Sequence, residues 1–461
     1  MQRTCQWILE TTGGSWRGSP VDLHRLVCGV STDTRNIRAN QLYVPLVGKR
    51  FDGHQFVKDA GEKGAAAVLW QQDRPFPSLH LPVIVVEDTL KALQQLAAGY
   101  RAECQAKVVA VTGSNGKTTT KDLIASLLAE KYAVHKTKGN LNNHIGVPLT
   151  LLSMPEETEI AVIEMGMNHR GEISVLSNIA RPDVAVITNI GESHIEHLGS
   201  REGIAKAKLE VKDGLSPTGA LVIDGDEPLL RNLLKEESRL LIKTGWETDS
   251  DESPEQIEVR GTEGVSFQSR KTGTRFTLPL LGRHNVKNAL LAIEVARYFK
   301  LREEEIVRGL ANVTLTGMRL ETKMARNGML LIDDAYNASP TSMKAALDLL
   351  AEIEPEKEKW ALLGDMLETG EQEEHYHREL GVYAMEKGIH RLYTIGERGR
   401  WIHEGAMKAK ACDNQALVHF HTPDEAVETL LREGHPETIL LVKASRAARL
   451  DQIVKNMTEG A

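Results

Sequence analysis

Residues 112–121 read Thr-Gly-Ser-Asn-Gly-Lys-Thr-Thr-Thr-Lys, directly after the apolar run Val108-Val109-Ala110-Val111. A β-branched strand leads into a glycine turn, then a lysine, then hydroxyls that open a helix. That order suits a nucleoside triphosphate. Glycines admit phosphates close to backbone N–H groups. The helix N-terminus adds partial positive charge. Lys117 can reach the β- and γ-phosphates, and Thr118 can offer a hydroxyl to Mg2+. Gly113, Ser114, Asn115, Gly116, Lys117, Thr118 and Thr119 form the expected cradle for ATP or GTP, with Val111 standing where the usual pattern has its first glycine.

Other polar residues sit where strands would end. Glu164 closes the apolar run 160–164, where a carboxylate suits Mg2+ and equally suits a helix cap or solvent. His194 follows the run 184–189; a lone histidine is more often structural, and histidine is an unusual Mg2+ ligand. Lys206 and Lys208 read, by spacing alone, as a charged helix face. Asn285 and Asn288 open an apolar helix; they suit a cap, and their amides also match an adenine edge.

The elements that must position these residues fall into three regions, and the fold class expected is α/β. The first, 1–103, is a small α/β domain with strands at 42–46, 66–69 and 83–86 and a helix near 89–101. The second, 104–313, has strands at 108–112, 160–164, 184–189 and 220–224 separated by helical patterns, which implies crossovers and a parallel sheet of the phosphate-loop type. Residues 244–276 read as hairpins or loops at its margin. The third, 314–461, alternates again through strands at 329–333, 360–364, 391–395 and 438–442, a Rossmann-like pattern. In such sheets ligands sit at the carboxyl ends of strands, so two polar edges could face each other across a cleft.

Bulk properties narrow the class. With 461 residues, 41% hydrophobic and 26% charged, the chain is ordinary for a globular protein of about three domains. A net charge of −8 argues against nucleic acid as a partner. Cys5, Cys28, Cys104 and Cys412 have neither zinc nor Cys-x-x-Cys spacing, which suits free thiols in a reducing compartment. No run approaches a membrane span and no signal pattern opens the chain, so a cytoplasmic monomer is expected.

Taken in order, these motifs resemble the Mur ligases, ATP-dependent amide-forming enzymes of peptidoglycan precursor synthesis, over nearly the whole chain. The resemblance implies that the first domain grips a UDP-sugar through Ser31, Thr32, Arg35, Asp52, Gly53 and His54, in the motifs Ser31-Thr32-Asp33-Thr34-Arg35 and Phe51-Asp52-Gly53-His54. It implies substrate contacts for Asn142 and Asn143, and none for His144, which stands where the family commonly has aspartate. It implies that Thr118, Glu164, His194 and a carbamylated Lys208 serve two Mg2+ ions, which revises Lys208 from surface charge to active site. Asn285 and Asn288 match the adenine-proximal motif. Thr316-Gly317-Met318-Arg319 and Asp333-Asp334-Ala335-Tyr336-Asn337 would bring Arg319 to phosphate and Asp333 to ribose, with Asn337 beside the nucleotide. Lys443-Ala444-Ser445-Arg446 has alanine where glycine is usual. Lys117, Glu164, His194, Lys208 and Arg319 are then the catalytic set.

Within the family, Asp-Asp-Ala-Tyr-Asn and Gly364-Asp365-Met366 imply the reaction joining D-alanyl-D-alanine to UDP-N-acetylmuramoyl-tripeptide. The alternative is a relative adding L-lysine or diaminopimelate to the dipeptide, although the Asp-Asn-Pro-Arg motif of the diaminopimelate enzyme is absent. A folylpolyglutamate synthase would begin near its phosphate loop, whereas about 107 residues precede Val108 here. A nucleotide-driven switch would hydrolyse ATP without a small-molecule acceptor, and a catalytically dead scaffold would not keep Lys117, Glu164, His194 and Lys208 together.

Overall fold

The computed structural model describes residues 1–461 except 50, 77–79, 248, 318–319, 410–416 and 460–461. The central domain is built on six parallel strands in the spatial order Leu240–Thr244, Ala220–Asp224, Val184–Ile187, Lys107–Thr112, Ile160–Glu164, Val134–Lys136. The four inner strands are near-continuous apolar runs because helices cover both faces. Side chains of Lys107–Thr112 alternate between two cores. Val108 and Ala110 join Val147, Leu151, Ile173 and Leu176 on one face. Val109 and Val111 join Leu123, Leu127, Val286 and Leu290 on the other. From Lys107–Thr112 the chain crosses to one side of the sheet, returns, and then crosses to the other side. That reversal opens a crevice at the carboxyl end of the strand, where the glycine loop lies.

Residues 254–278 form a three-stranded antiparallel sheet, Pro254–Val259, Val265–Ser269 and Arg275–Leu278, anchored on the core by Phe267 and Phe276. The C-terminal domain has six strands in the order Glu321–Met324, Leu330–Asp333, Thr438–Lys443, Glu358–Leu363, Arg391–Ile395, Leu417–Phe420, with only the first antiparallel. The N-terminal domain has five, in the order Ser15–Arg17, Val83–Val86, Ala67–Gln71, Leu42–Tyr43, Val30–Ser31. Its helix Thr89–Glu103 starts at an Asp88 cap and buries Leu93, Leu96 and Tyr100 in the same core as one face of the central sheet, so these two domains share an apolar interior. Among the described residues no helix is long and apolar enough to cross a membrane.

Candidate active site

The glycine loop requires its glycines. Gly113 has φ +147° and Gly116 φ +78°. A Cβ on Gly113 would lie 1.8 Å from Thr188 Oγ1, and one on Gly116 2.5 Å from Asn288 Oδ1. The loop is pinned from the neighbouring strand end. The Asn115 amide donates to Asn189 Oδ1 at 2.9 Å, while Thr188 Oγ1 (2.5 Å) and Asn189 Nδ2 (3.1 Å) donate to the Asn115 carbonyl. Lys117 begins the helix Lys117–Ala129 and folds its Nζ back onto the carbonyls of Gly113 at 2.8 Å and Ser114 at 3.2 Å. The first-turn N–H groups of this helix lie at the loop, an arrangement that receives anions.

A cavity of about 550 Å3 opens there, between the central and C-terminal domains. Ser114, Asn115, Gly116, Lys117, Thr118, Thr119, Asn142, Glu164, His194, Lys208, Asn285 and Asn288 line it from one side. Asp334, Tyr336, Asn337 and Lys443 line it from the other.

Glu164 is buried at the end of its strand; its N–H donates to Thr137 Oγ1 at 3.0 Å and its Oε1 accepts from Asn142 Nδ2 at 2.8 Å. Oε2 is buried without a partner among the described residues. An orphaned carboxylate oxygen near the buried Thr118 fits a divalent cation shared with nucleotide phosphates. No cluster of three His, Cys, Asp or Glu side chains is spaced to hold a metal among the described residues, so such a cation would take the rest of its shell from phosphate and water.

His194 sits in the left-handed region at φ +65°, with Nδ1 2.5 Å from Glu368 Oε2 of the C-terminal domain. That contact holds the Glu368 carboxyl below the usual carboxylate range. Lys208 belongs to the helix Arg201–Leu209, capped by Ser200. It is 2% exposed, and among the described residues no hydrogen bond or ion pair holds its Nζ. Burial, and then the nearby Lys117 charge, push its pKa well below the ordinary lysine value. A neutral buried amine is the form that adds to CO2. The Lys206 side chain, by contrast, pairs on the surface with Glu202 at 2.8 Å.

Asn285 and Asn288 lie on the helix His284–Tyr298, linked by an Asn288 Nδ2 to Asn285 Oδ1 bond of 2.8 Å. Nearby, Lys287 reaches Asp224 Oδ1 at 2.7 Å and Asp226 Oδ2 at 2.9 Å. Burial raises the Asp224 pKa, with Lys287 acting against it. Across the cleft, Lys443 Nζ donates to Asp334 Oδ2 and to the Asn337 carbonyl.

Some expected site residues lie outside the cavity, and others, such as the cavity-lining Asn142, meet partners the sequence did not indicate. Asp333 is buried against Lys323 Nζ at 2.7 Å and does not line the cleft, whereas its neighbour Asp334 does. Asn142 turns its amide to Glu164, and Asn143 caps the helix Gly146–Leu152 by accepting from the Ile145 and Gly146 amides at 3.1 and 2.9 Å. Ser31, Thr32, Arg35, Asp52, Gly53 and His54 lie on the N-terminal domain, apart from the cavity. There Arg35 pairs with Asp33 at 2.7 Å, and His54 Nδ1 meets Asp52 Oδ1 at 2.6 Å. Arg319 falls outside the described residues.

Other contacts had no reading in the sequence. Thr341 Oγ1 donates to Glu192 Oε2 at 2.6 Å and Ser339 Oγ to Asn115 Oδ1 at 3.2 Å, both across the cleft. Ser339 carries a local signal, since Ser-Pro opens a helix, but nothing local indicates its partner.

Three family models match the chain: a Mur ligase family catalytic domain over residues 27–101, a Mur ligase middle domain over 111–296, and a Mur ligase glutamate ligase domain over 318–446. The chain is 46% identical to the UDP-N-acetylmuramoyl-tripeptide--D-alanyl-D-alanine ligase of Bacillus subtilis, covering 100% of this chain and 99% of the relative. Identity to the ligase of the same name from Escherichia coli is 35%, covering 99% and 98%. A crystal structure of MurF from Acinetobacter baumannii superposes with a TM-score of 0.89 at 31% identity, covering 99% of each chain. The MurF ligase of Thermotoga maritima in complex with ADP superposes with a TM-score of 0.81 at 28% identity, covering 94% of this chain and 97% of that one.

Proposed function

The chain belongs to the Mur ligase family, and we infer from that membership and from the cleft that it joins D-alanyl-D-alanine to UDP-N-acetylmuramoyl-tripeptide at the expense of ATP. The observation that carries the reading is a single cavity holding the phosphate loop, Glu164, His194 and Lys208, in a chain 46% identical to such a ligase from end to end. The relatives adding lysine or diaminopimelate to the dipeptide are the weaker reading: the diaminopimelate ligase structure superposes with a TM-score of 0.53 at 16% identity.

The tripeptide's terminal carboxylate attacks the γ-phosphate of ATP, giving an acyl phosphate and ADP. The amine of D-alanyl-D-alanine then attacks the acyl carbon, a tetrahedral intermediate collapses, and phosphate leaves as the amide forms. A carboxylate is a poor electrophile, and ATP supplies the leaving group. The first step brings two anions together, so its barrier is electrostatic. In our assignment the loop amides and Lys117 hold the β- and γ-phosphates, and Arg319 adds a second cation. Asn285 and Asn288 lie at the adenine, Asn337 lies beside the nucleotide, and the ribose contact expected of Asp333 passes to Asp334, its neighbour that lines the cleft. Thr118, Glu164, His194 and Lys208 as a carbamate would hold Mg2+, which supplies charge neutralisation at the phosphates. The N-terminal motif residues Ser31, Thr32, Arg35, Asp52, Gly53 and His54 take the UDP-sugar. We place the domains at 1–103, 104–313 and 314–461, and the protein in the cytoplasm as a monomer.

The test is phosphate release from ATP with the UDP-tripeptide and D-alanyl-D-alanine supplied singly and together, with the product weighed by mass spectrometry. Release that needs both, with a pentapeptide product, is expected. Release with neither substrate would make the protein a nucleotide switch. Release with UDP-dipeptide and an amino acid would move it one step earlier.

A further inference from the structure

The backbone of Asn115 is engaged inside the protein at both ends. Its N–H donates to Asn189 Oδ1 at 2.9 Å, and its carbonyl accepts from Thr188 Oγ1 at 2.5 Å and Asn189 Nδ2 at 3.1 Å. In a phosphate loop an N–H at such a place ordinarily serves the anion. Here it is turned to the neighbouring strand end, so the side chain is the part of Asn115 left for a ligand.

That side chain is held by one end only. Its Oδ1 accepts from Ser339 Oγ at 3.2 Å, across the cleft. Ser339 caps the helix Pro340–Glu352, and its Oγ accepts the Ser342 N–H at 3.4 Å. The hydroxyl proton of Ser339 is therefore the one offered to Asn115, which fixes the amide with Oδ1 toward Ser339 and Nδ2 at the opposite end. Nδ2 is buried and has no partner among the described residues, and neither has Oγ of the buried neighbour Ser114. Both residues line the cavity beside Lys117 and Thr118. Gly191 walls the amide, since a Cβ there would stand 3.2 Å from Nδ2.

A buried amide donor with nothing to donate to is costly, and it persists where a ligand supplies the acceptor. The reversed amide would set an unpaired oxygen against the phosphates. Nδ2 is uncharged, so it adds a fixed dipole to the loop without adding a cation beside Lys117.

We propose that Asn115 is a catalytic residue whose Nδ2 donates to the γ-phosphoryl oxygens of ATP, and that Ser339 of the C-terminal domain is the positioning residue that aims it. This deepens the ligase reading and rests on it. In the acyl-phosphate step the bond from the carboxylate oxygen to the γ-phosphorus forms. The bond from that phosphorus to the β–γ bridging oxygen breaks, and its electron pair leaves on ADP. No proton passes through Asn115; its N–H offsets charge on the phosphoryl group as the carboxylate approaches.

The experiment measures, by calorimetry, affinity for ADP and for the β,γ-imido analogue of ATP, together with kcat. Asn115→Ala is expected to weaken analogue binding about ten-fold, the scale of a lost hydrogen bond to a charged group, with ADP within about two-fold of the parent and kcat reduced. Asn115→Asp, which keeps the shape and the acceptor for Ser339 but loses the donor, should show the same selective loss, and it decides the matter if the alanine variant does not fold. Ser339→Ala should show a smaller selective loss that Ser339→Thr restores. Ser339→Ala also removes a helix cap, so the double variant with Asn115→Ala is made: it should bind the analogue no worse than Asn115→Ala alone. Analogue and ADP affinities that fall together, or analogue affinity that stays parental, overturn the role of Asn115. A Ser339→Ala loss that is equally large with and without Asn115 reduces Ser339 to a helix cap and overturns its positioning role. A parent that binds both nucleotides but makes no pentapeptide breaks the ligase reading, separately from these affinity ratios.

Discussion

Asn142 Nδ2 donates 2.8 Å to Oε1 of Glu164 and leaves Oε2 of that buried carboxylate without a partner among the described residues. One oxygen is oriented by protein and the other is left unpaired in a residue that lines the cleft. Truncation of Asn142 to alanine strands the first oxygen as well. Asn142→Ala should cost the metal-free protein about 1–3 kcal/mol in urea unfolding and raise the Mg2+ concentration needed for half-maximal turnover. An unchanged Mg2+ titration would detach Asn142 from Glu164's function.

The central and C-terminal domains touch across the cleft through Thr341–Glu192 at 2.6 Å, Ser339–Asn115 at 3.2 Å and His194–Glu368 at 2.5 Å. Each is partly solvated and worth about 1 kcal/mol or less, so together they set a balance and not a lock. Thr341→Ala combined with Glu368→Gln is expected to enlarge the nucleotide-free radius of gyration in small-angle scattering. Identical scattering profiles would show that these contacts do not hold the cleft.

Lys208 is assigned to a carbamate because it is buried, without an ion pair among the described residues, and shifted toward the neutral amine. Lys208→Ala should lose turnover and recover part of it when a short carboxylic acid is added to fill the vacated site. Full activity of the unrescued variant would remove Lys208 from the mechanism.

His377 is buried and clipped in one neutral tautomer. Its Nε2 accepts the Met366 N–H at 2.9 Å while Nδ1 donates to the Glu373 carbonyl at 2.5 Å. Burial lowers its pKa from the ordinary 6.5. In the unfolded chain the imidazole protonates below 6.5, whereas the folded one stays neutral until its lower pKa is passed. The unfolded state therefore binds more protons, and stability falls as pH drops through that window by about 1.4 kcal/mol per pH unit. His377→Gln, whose amide oxygen can accept the same N–H, should lack this part of the acid slope in denaturant titrations between pH 5 and 7. Parallel slopes for both proteins would refute the assignment.

How far the sequence reaches depends on how local the chemistry is. The phosphate loop is legible because strand, glycines, lysine and hydroxyls are contiguous and each does its work in place. The inner strands are legible because burial on both faces demands unbroken apolar runs. The edge strands Val134–Lys136 and Leu417–Phe420 escape such a reading, since their partly exposed residues break the run. Strand Leu240–Thr244 is likewise half-exposed and merges by composition with the loops after it.

By itself the sequence determined the α/β class, three regions and, through resemblance, the family, and it located the glycine loop at residues 113–119 to which we assign the nucleotide. Only the tertiary structure decided which side chains meet. It buried Lys208 while leaving Lys206 in water, turned Asn142 onto Glu164, and chose Asp334 over Asp333 for the cleft. It also set Thr188 and Asn189 against the loop and Thr316 against Asp122. The reason is physical. Spacing along one strand or helix sets which face a residue takes, but the order of parallel strands and the docking of two domains follow from packing across the whole chain, and no local pattern encodes them.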